Sequence, residues 1–130
     1  MKRFFCILSV LLMMTACAKA TYRTTSMEGM PADAPVQTIK LLAKNCEWTP
    51  NKVTVDQGSH VILEVESGDD SYYNFILKHY KLMFNIPAKE TVTAEFYAAD
   101  AGEYEFGCYV ETGRKYVWGG MVGKLIVAAK

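Results

Sequence analysis

Cys108 and Met121 stand at the two ends of one polar stretch. Cys108 closes the run Gly102-Glu-Tyr-Glu-Phe-Gly-Cys108, and Met121 opens the run Met121-Val-Gly-Lys-Leu-Ile-Val127. A thiol and a thioether held at the ends of one loop suit a soft metal such as copper. A copper(II) centre of the usual kind also takes two imidazoles, and the stretch between them contains no histidine. The chain's two histidines lie elsewhere. His60 shares a strand face with Glu64 and Glu66 and reads as a solvated surface residue, and His79 lies in the turn Lys78-His79-Tyr80-Lys81. Asp69 and Asp70, with Glu111, could meet a hard cation, although adjacent acids in a turn are usually just solvated. No motif sets a serine or cysteine nucleophile beside a base, so the sequence describes a binding protein and not an enzyme.

The elements that must carry these residues are short strands. His60 to Ser67 alternates, with Val61, Leu63 and Val65 on one face and His60, Ile62, Glu64 and Glu66 on the other. That period is the signature of a half-buried strand. Val36–Ala43, Lys52–Val55, Tyr72–Leu77, Leu82–Ile86, Thr91–Tyr97, Gly102–Cys108 and Met121–Ala128 read the same way, separated by turn residues such as Asp56-Gln57-Gly58-Ser59. Strands at this spacing without convincing helical periodicity predict an all-β sandwich or barrel.

The first 35 residues read differently. Met1-Lys2-Arg3 precedes the apolar run Phe4 to Met14 and the small residues Thr15-Ala16-Cys17, the pattern of an export signal. Met14-Thr15-Ala16-Cys17 resembles the lipobox of bacterial lipoproteins, which makes residues 1–16 the signal and Cys17 the lipidated first residue. Cleavage after Ala18 or Ala20 is the alternative. Residues 17–35, rich in Thr, Ser, Ala and Pro, read as a flexible tether before one domain over 36–130. The expected location is the bacterial cell envelope, anchored by lipid and facing the periplasm or exterior. Loss of Lys2 and Arg3 leaves 12 basic against 14 acidic residues, a net charge of −2. With no basic stripe, nucleic acid is not an expected partner; the membrane, through the anchor, and an envelope protein are. After the signal and the lipid site, Cys46 and Cys108 remain as an even pair in a compartment where disulfides persist.

A series of motifs runs through the domain in order. Trp48-x-Pro50, Val53-x-Val55 with Gly58, Asp70-x-x-Tyr73-x-Phe75 and Ile86-Pro87 come first; Gly102-x-Tyr104-x-x-x-Cys108 and Met121-x-Gly123-x-Leu125-x-Val127 follow. The series resembles the cupredoxins, especially the periplasmic type related to the copper domain of cytochrome oxidase subunit II. Asn45-Cys46-Glu47, paired with a cysteine near the end, is also similar to the cupredoxin domain of periplasmic iron-uptake proteins. The resemblance implies a Greek-key β-sandwich, with Cys108 and Met121 at the family's cysteine and methionine positions. It places the first family histidine at Tyr73 and the second at Tyr116, Val117 or Trp118. Thr112 stands where a dinuclear site would have its second cysteine. Tyr73, Tyr116 and Trp118 are therefore expected to plug the vacated ligand positions, within a wider aromatic group at the metal pole that includes Tyr72, Tyr80 and Tyr109. The resemblance also puts Cys46 near Cys108 at one pole, and strand alternation turns both inward, so a disulfide between them competes with metal. Two functions follow. One is copper binding with electron or metal transfer through a non-standard ligand set. The other is a metal-free, disulfide-closed interaction module.

Overall fold

The computed structural model describes residues 21–23, 27–112 and 115–130, with the backbone alone for 21–23, 109–112 and 115–120. Its strands are β1 (Thr21–Arg23), β2 (Val36–Lys44), β3 (Glu47–Thr49), β4 (Lys52–Asp56), β5 (His60–Ser67), β6 (Tyr73–Leu77), β7 (Leu82–Ile86), β8 (Thr91–Tyr97), β9 (Gly102–Thr112) and β10 (Lys115–Ala128). They form two five-stranded sheets, ordered β1-β8-β5-β2-β3 and β4-β10-β9-β6-β7. The all-β sandwich expected from the alternating pattern is what the chain adopts. A single 3-10 turn, Lys78–Tyr80, joins β6 to β7. No helix among the described residues is long and apolar enough to cross a membrane.

Alternation builds the core directly. Val61, Leu63 and Val65 of β5 and Val92, Ala94 and Phe96 of β8 are buried against Phe75 and Leu77 of β6 and Leu82, Phe84 and Ile86 of β7. At the centre Phe75 stacks on Phe84 and Phe106, with ring centroids 5.2 and 5.3 Å away. Trp48 meets Phe75 and Phe106 edge-on at 5.7 and 5.8 Å. Each such ring removes a large apolar surface from water, and truncating one to alanine typically costs about 3–5 kcal/mol. This aromatic block is the floor beneath the sulfur-bearing residues.

Three local expectations are corrected. First, Asn45 to Asn51 is not a simple interruption: Glu47–Thr49 folds back on β2, pairing Lys44 with Glu47 and Leu42 with Thr49. Second, Cys108 to Met121 is not an open ligand loop. β9 continues to Thr112 and β10 begins at Lys115, with Val117 opposite Val110 and Trp118 opposite Tyr109. The ladder shifts register between Trp118 and Val122, so only a bulge separates the hairpin arm from the main sheet. Third, Thr21–Arg23, inside the segment read as tether, pairs in parallel with Thr93–Glu95 of β8. The signal segment and Cys17 lie outside the described residues.

Candidate functional site

Cys108 points inward from β9 because it is two residues beyond Phe106, on the same face of the strand. Its side chain is half-buried against the core. The Asn74 N–H donates to Cys108 Sγ at 3.3 Å, and the thiol donates to the Asn74 carbonyl at 3.0 Å. Burial pushes the thiol pKa up; the Asn74 N–H opposes that, and the nearby Cys46 thiol adds to it. The free thiol is therefore held neutral, and a metal would displace its proton.

Met121 lies on the neighbouring strand, just before Val122, which pairs with Gly107. Met121 lies in the irregular stretch between Trp118 and Val122, and Cys108 lies between their partners Tyr109 and Gly107, so both fall at the bulge of the β9–β10 ladder. Met121 is buried, and its carbonyl accepts the Trp48 indole N–H at 3.1 Å. That bond ties the ladder to β3 in the opposite sheet. The two residues expected at the metal position are therefore brought to one pole of the sandwich.

Tyr73 begins β6 and is buried at the same pole. Its hydroxyl donates to Asp69 Oδ2 at 2.8 Å and accepts a longer bond, 3.4 Å, from the Cys46 N–H. Burial first, and then the Asp69 carboxylate, raise the phenol pKa. Asp69 also accepts from the Asn45 N–H and the Ser71 N–H, each at 2.9 Å. Those bonds, with that from Tyr73, hold its carboxyl below the usual range. The sequence motif pointed to Asp70, but Asp70 turns outward to Lys89 at 3.0 Å; Asp69 is the working acid. The sequence marked Asp69 only as one of a pair of turn acids that could meet a hard cation, and the Trp48–Met121 bond not at all.

Cys46 departs from expectation. It sits with Asn45 in a turn where both residues have positive φ, 58° and 52°, and its side chain is exposed. The inward orientation inferred from an extended strand does not hold, because the chain reverses at this point to form β3. Cys46 and Cys108 are both free thiols. The expected disulfide is not formed in this structure.

The aromatic group also divides. Tyr72 is exposed beside Tyr73. Tyr80 is not at this pole: it anchors the opposite end, its hydroxyl donating to the Asp100 carbonyl at 2.9 Å. The side chains of Tyr109, Tyr116 and Trp118 lie outside the described residues, as does that of Glu111. His79 is at Tyr80's end, stacked on Tyr104 at 4.1 Å with Nε2 2.9 Å from Asp100 Oδ2. His60 is on the outer face as expected but is not simply solvated. It is half-buried, its Nε2 lacks a hydrogen-bond partner among the described residues, and Glu95 is 3.7 Å away.

The donor set can be tested on these positions. A blue-copper set does not fit the described residues: the buried ring at this pole is the phenol of Tyr73, while His79 lies at the other end with Asp100 and His60 on the outer face with Glu95. No three His, Cys, Asp or Glu side chains converge as a metal centre among the described residues. Soft sulfur donors suit the positions better: Cys108 and Met121 both lie at the β9–β10 bulge, and Cys46 is near enough to raise the Cys108 thiol pKa. A recess of about 710 Å³ opens on the outer face of β6 and β7, lined by Ile76, Met83, Lys78 and Lys81 among others, and not over the sulfurs.

The copper(I)-bound metal-binding domain of the Streptococcus pneumoniae D39 exporting ATPase CopA superposes with a TM-score of 0.60 at 18% identity, covering 85% of this chain and 98% of that one. Auracyanin A, a blue copper protein of Chloroflexus aurantiacus, gives 0.58 at 21%, covering 72% and 99%. Subunit II of cytochrome c oxidase, caught in a mixed disulfide with a thioredoxin-like protein, gives 0.57 at 17%, covering 71% and 81%. These likenesses concern the fold. Among curated proteins none matches the chain in sequence. The model of the cupredoxin-like domain matches residues 4–127, nearly the whole sequence, and with the sandwich and its Cys–Met pole in view the chain belongs to the cupredoxin-like domain family.

Proposed function

We propose that this protein is a lipid-anchored cupredoxin of the bacterial cell envelope that binds copper(I) and passes it on, with Cys108 and Met121 as ligands. The observation that carries the reading is a half-buried thiol, fixed by Asn74, at the β9–β10 bulge that also holds the buried Met121. Thiolate and thioether favour copper(I), and the phenol at position 73 offers no imidazole to favour copper(II). That balance supports metal transfer over electron transfer, which needs both oxidation states held in one site. The pneumococcal domain, solved with copper(I) on the same fold, supports the metal. The Cys17 lipobox supports the anchor.

The test is a copper(I) competition titration with a chromophoric chelator under reducing conditions. One equivalent is expected to bind. Cys108→Ser should weaken binding by more than about tenfold, since even losing an outer-shell partner of a ligand costs about 10–100-fold, and Met121→Leu by less. Unchanged affinity in Cys108→Ser overturns the reading and leaves the metal-free interaction module.

A further inference from the structure

Cys46 is exposed and belongs to no regular strand, yet its backbone is held to the residue pair that holds Cys108. The link runs through two consecutive residues. Tyr73 accepts the Cys46 N–H through its hydroxyl, and Asn74 bonds Cys108 Sγ through both its N–H and its carbonyl. Asp69 fixes this link from the other side, accepting the Tyr73 hydroxyl at 2.8 Å and the Asn45 N–H at 2.9 Å with the same oxygen. Positive φ suits Asn45 but is an uncommon conformation for Cys46, and these two bonds secure the turn.

We propose that Asp69 and Tyr73 are positioning residues that hold the Cys46 turn beside Cys108, so that the two thiols work as one unit and Cys46 serves as the exposed second sulfur of the site. The metal role of the pair rests on the copper(I) reading above; the positioning does not. Cys46 is the sulfur open to solvent, and therefore the one an incoming donor protein or a small thiol meets first. Cys108, half-buried behind it, receives. The same order governs exchange with glutathione disulfide. The Cys46 thiolate attacks one sulfur and releases one glutathione. The Cys108 thiolate then attacks the Cys46 sulfur and releases the second, so that one glutathione disulfide is reduced, two protons leave the protein and one protein disulfide forms.

Glutathione redox buffers test the positioning without any metal. The full chain, wild type, Tyr73→Phe and Asp69→Asn, is equilibrated across a range of glutathione ratios and the closed disulfide is counted by alkylation and mass. Wild type is expected to form an intramolecular Cys46–Cys108 disulfide. Tyr73→Phe keeps the ring and removes the hydroxyl, and the effective concentration of one thiol at the other should fall about tenfold. Asp69→Asn should fall in the same direction, and because Asp69 lies in a turn outside the hydrophobic core that variant keeps its core even if Tyr73→Phe does not fold. A wild type that yields only glutathione adducts, or variants that close as readily as wild type, overturns the proposal. The copper(I) titration run alongside separates the two ideas. Normal copper binding with unchanged disulfide closure sinks the positioning and spares the copper reading. Lost closure in the variants, in a protein that never binds copper(I), upholds the positioning and sinks the copper reading.

Discussion

A phenol at position 73 in place of an imidazole changes what the pole can hold. Its proton is committed to Asp69, and its ring is buried at the pole that holds Cys108. An intense visible charge-transfer band needs a copper(II)–thiolate bond held by imidazoles. Copper(II) added to the folded protein is therefore expected to give no strong band in visible absorption; one would mean that His60 or His79 reaches Cys108. Asp69 makes a second prediction. Its carboxyl is held below the usual range chiefly by the Asn45 and Ser71 N–H groups. A depressed folded-state pKa contributes stability that is fully present above the ordinary carboxylate pKa of about 4 and is lost as pH falls through the folded value. Melting temperatures from pH 6 to 2.5 should fall more steeply below about pH 4 for wild type than for Asp69→Asn. At this scale the sequence was legible for Cys108, Met121 and Tyr73, whose places follow from motif order. It was not legible for Asp69 over Asp70, because which of two adjacent acids faces inward depends on the path of one turn.

Among the elements, the β9–β10 hairpin does most to form the pole, and it is built around a residue with no side chain. Gly123 pairs with Phe106, whose ring lies over it. A Cβ at 123 would overlap that ring and approach the Asn51 carbonyl oxygen to 2.9 Å. Phe106 is packed by Phe75 and Trp48 and has nowhere to go. Gly123→Ala should therefore destabilise by about 1–3 kcal/mol, the range for overpacking a filled core, as read from urea unfolding. The central strands were legible because each buries one face, and burial imposes a period of two. The hairpin arm was less so. Tyr109-Val110 and Tyr116-Val117-Trp118 have the aromatic and β-branched composition of strands, but a ligand-bearing loop was the expectation there. β3 escaped notice because three residues are too few to show any period.

At the scale of the whole molecule, the anchor and the domain are separate questions. Cys17→Ser should move the protein from the membrane fraction to the soluble envelope fraction on fractionation and immunoblotting. Retention in the membrane would end the lipoprotein proposal and leave the domain's chemistry untouched. The sandwich was legible as a whole from strand spacing and motif order. Its function was not, because function here depends on which few side chains stand at one pole, and neither of the chain's two histidines is among them.

The parallel ladder between β4 and β10 sets when the molecule can fold. Lys52 pairs with Lys124, and Asp56 with Ala128. Among the described residues β4 has no other neighbour in its sheet. Until residues 124–128 have been synthesised, Val53 and Val55 have nothing to close against, and the second sheet lacks both its edge and the strand beside it. Pairings this distant in sequence are slow, with loop-closure entropy spent before any contact repays it. The second sheet thus stays open, and Val53 and Val55 stay unburied, until β10 has been made.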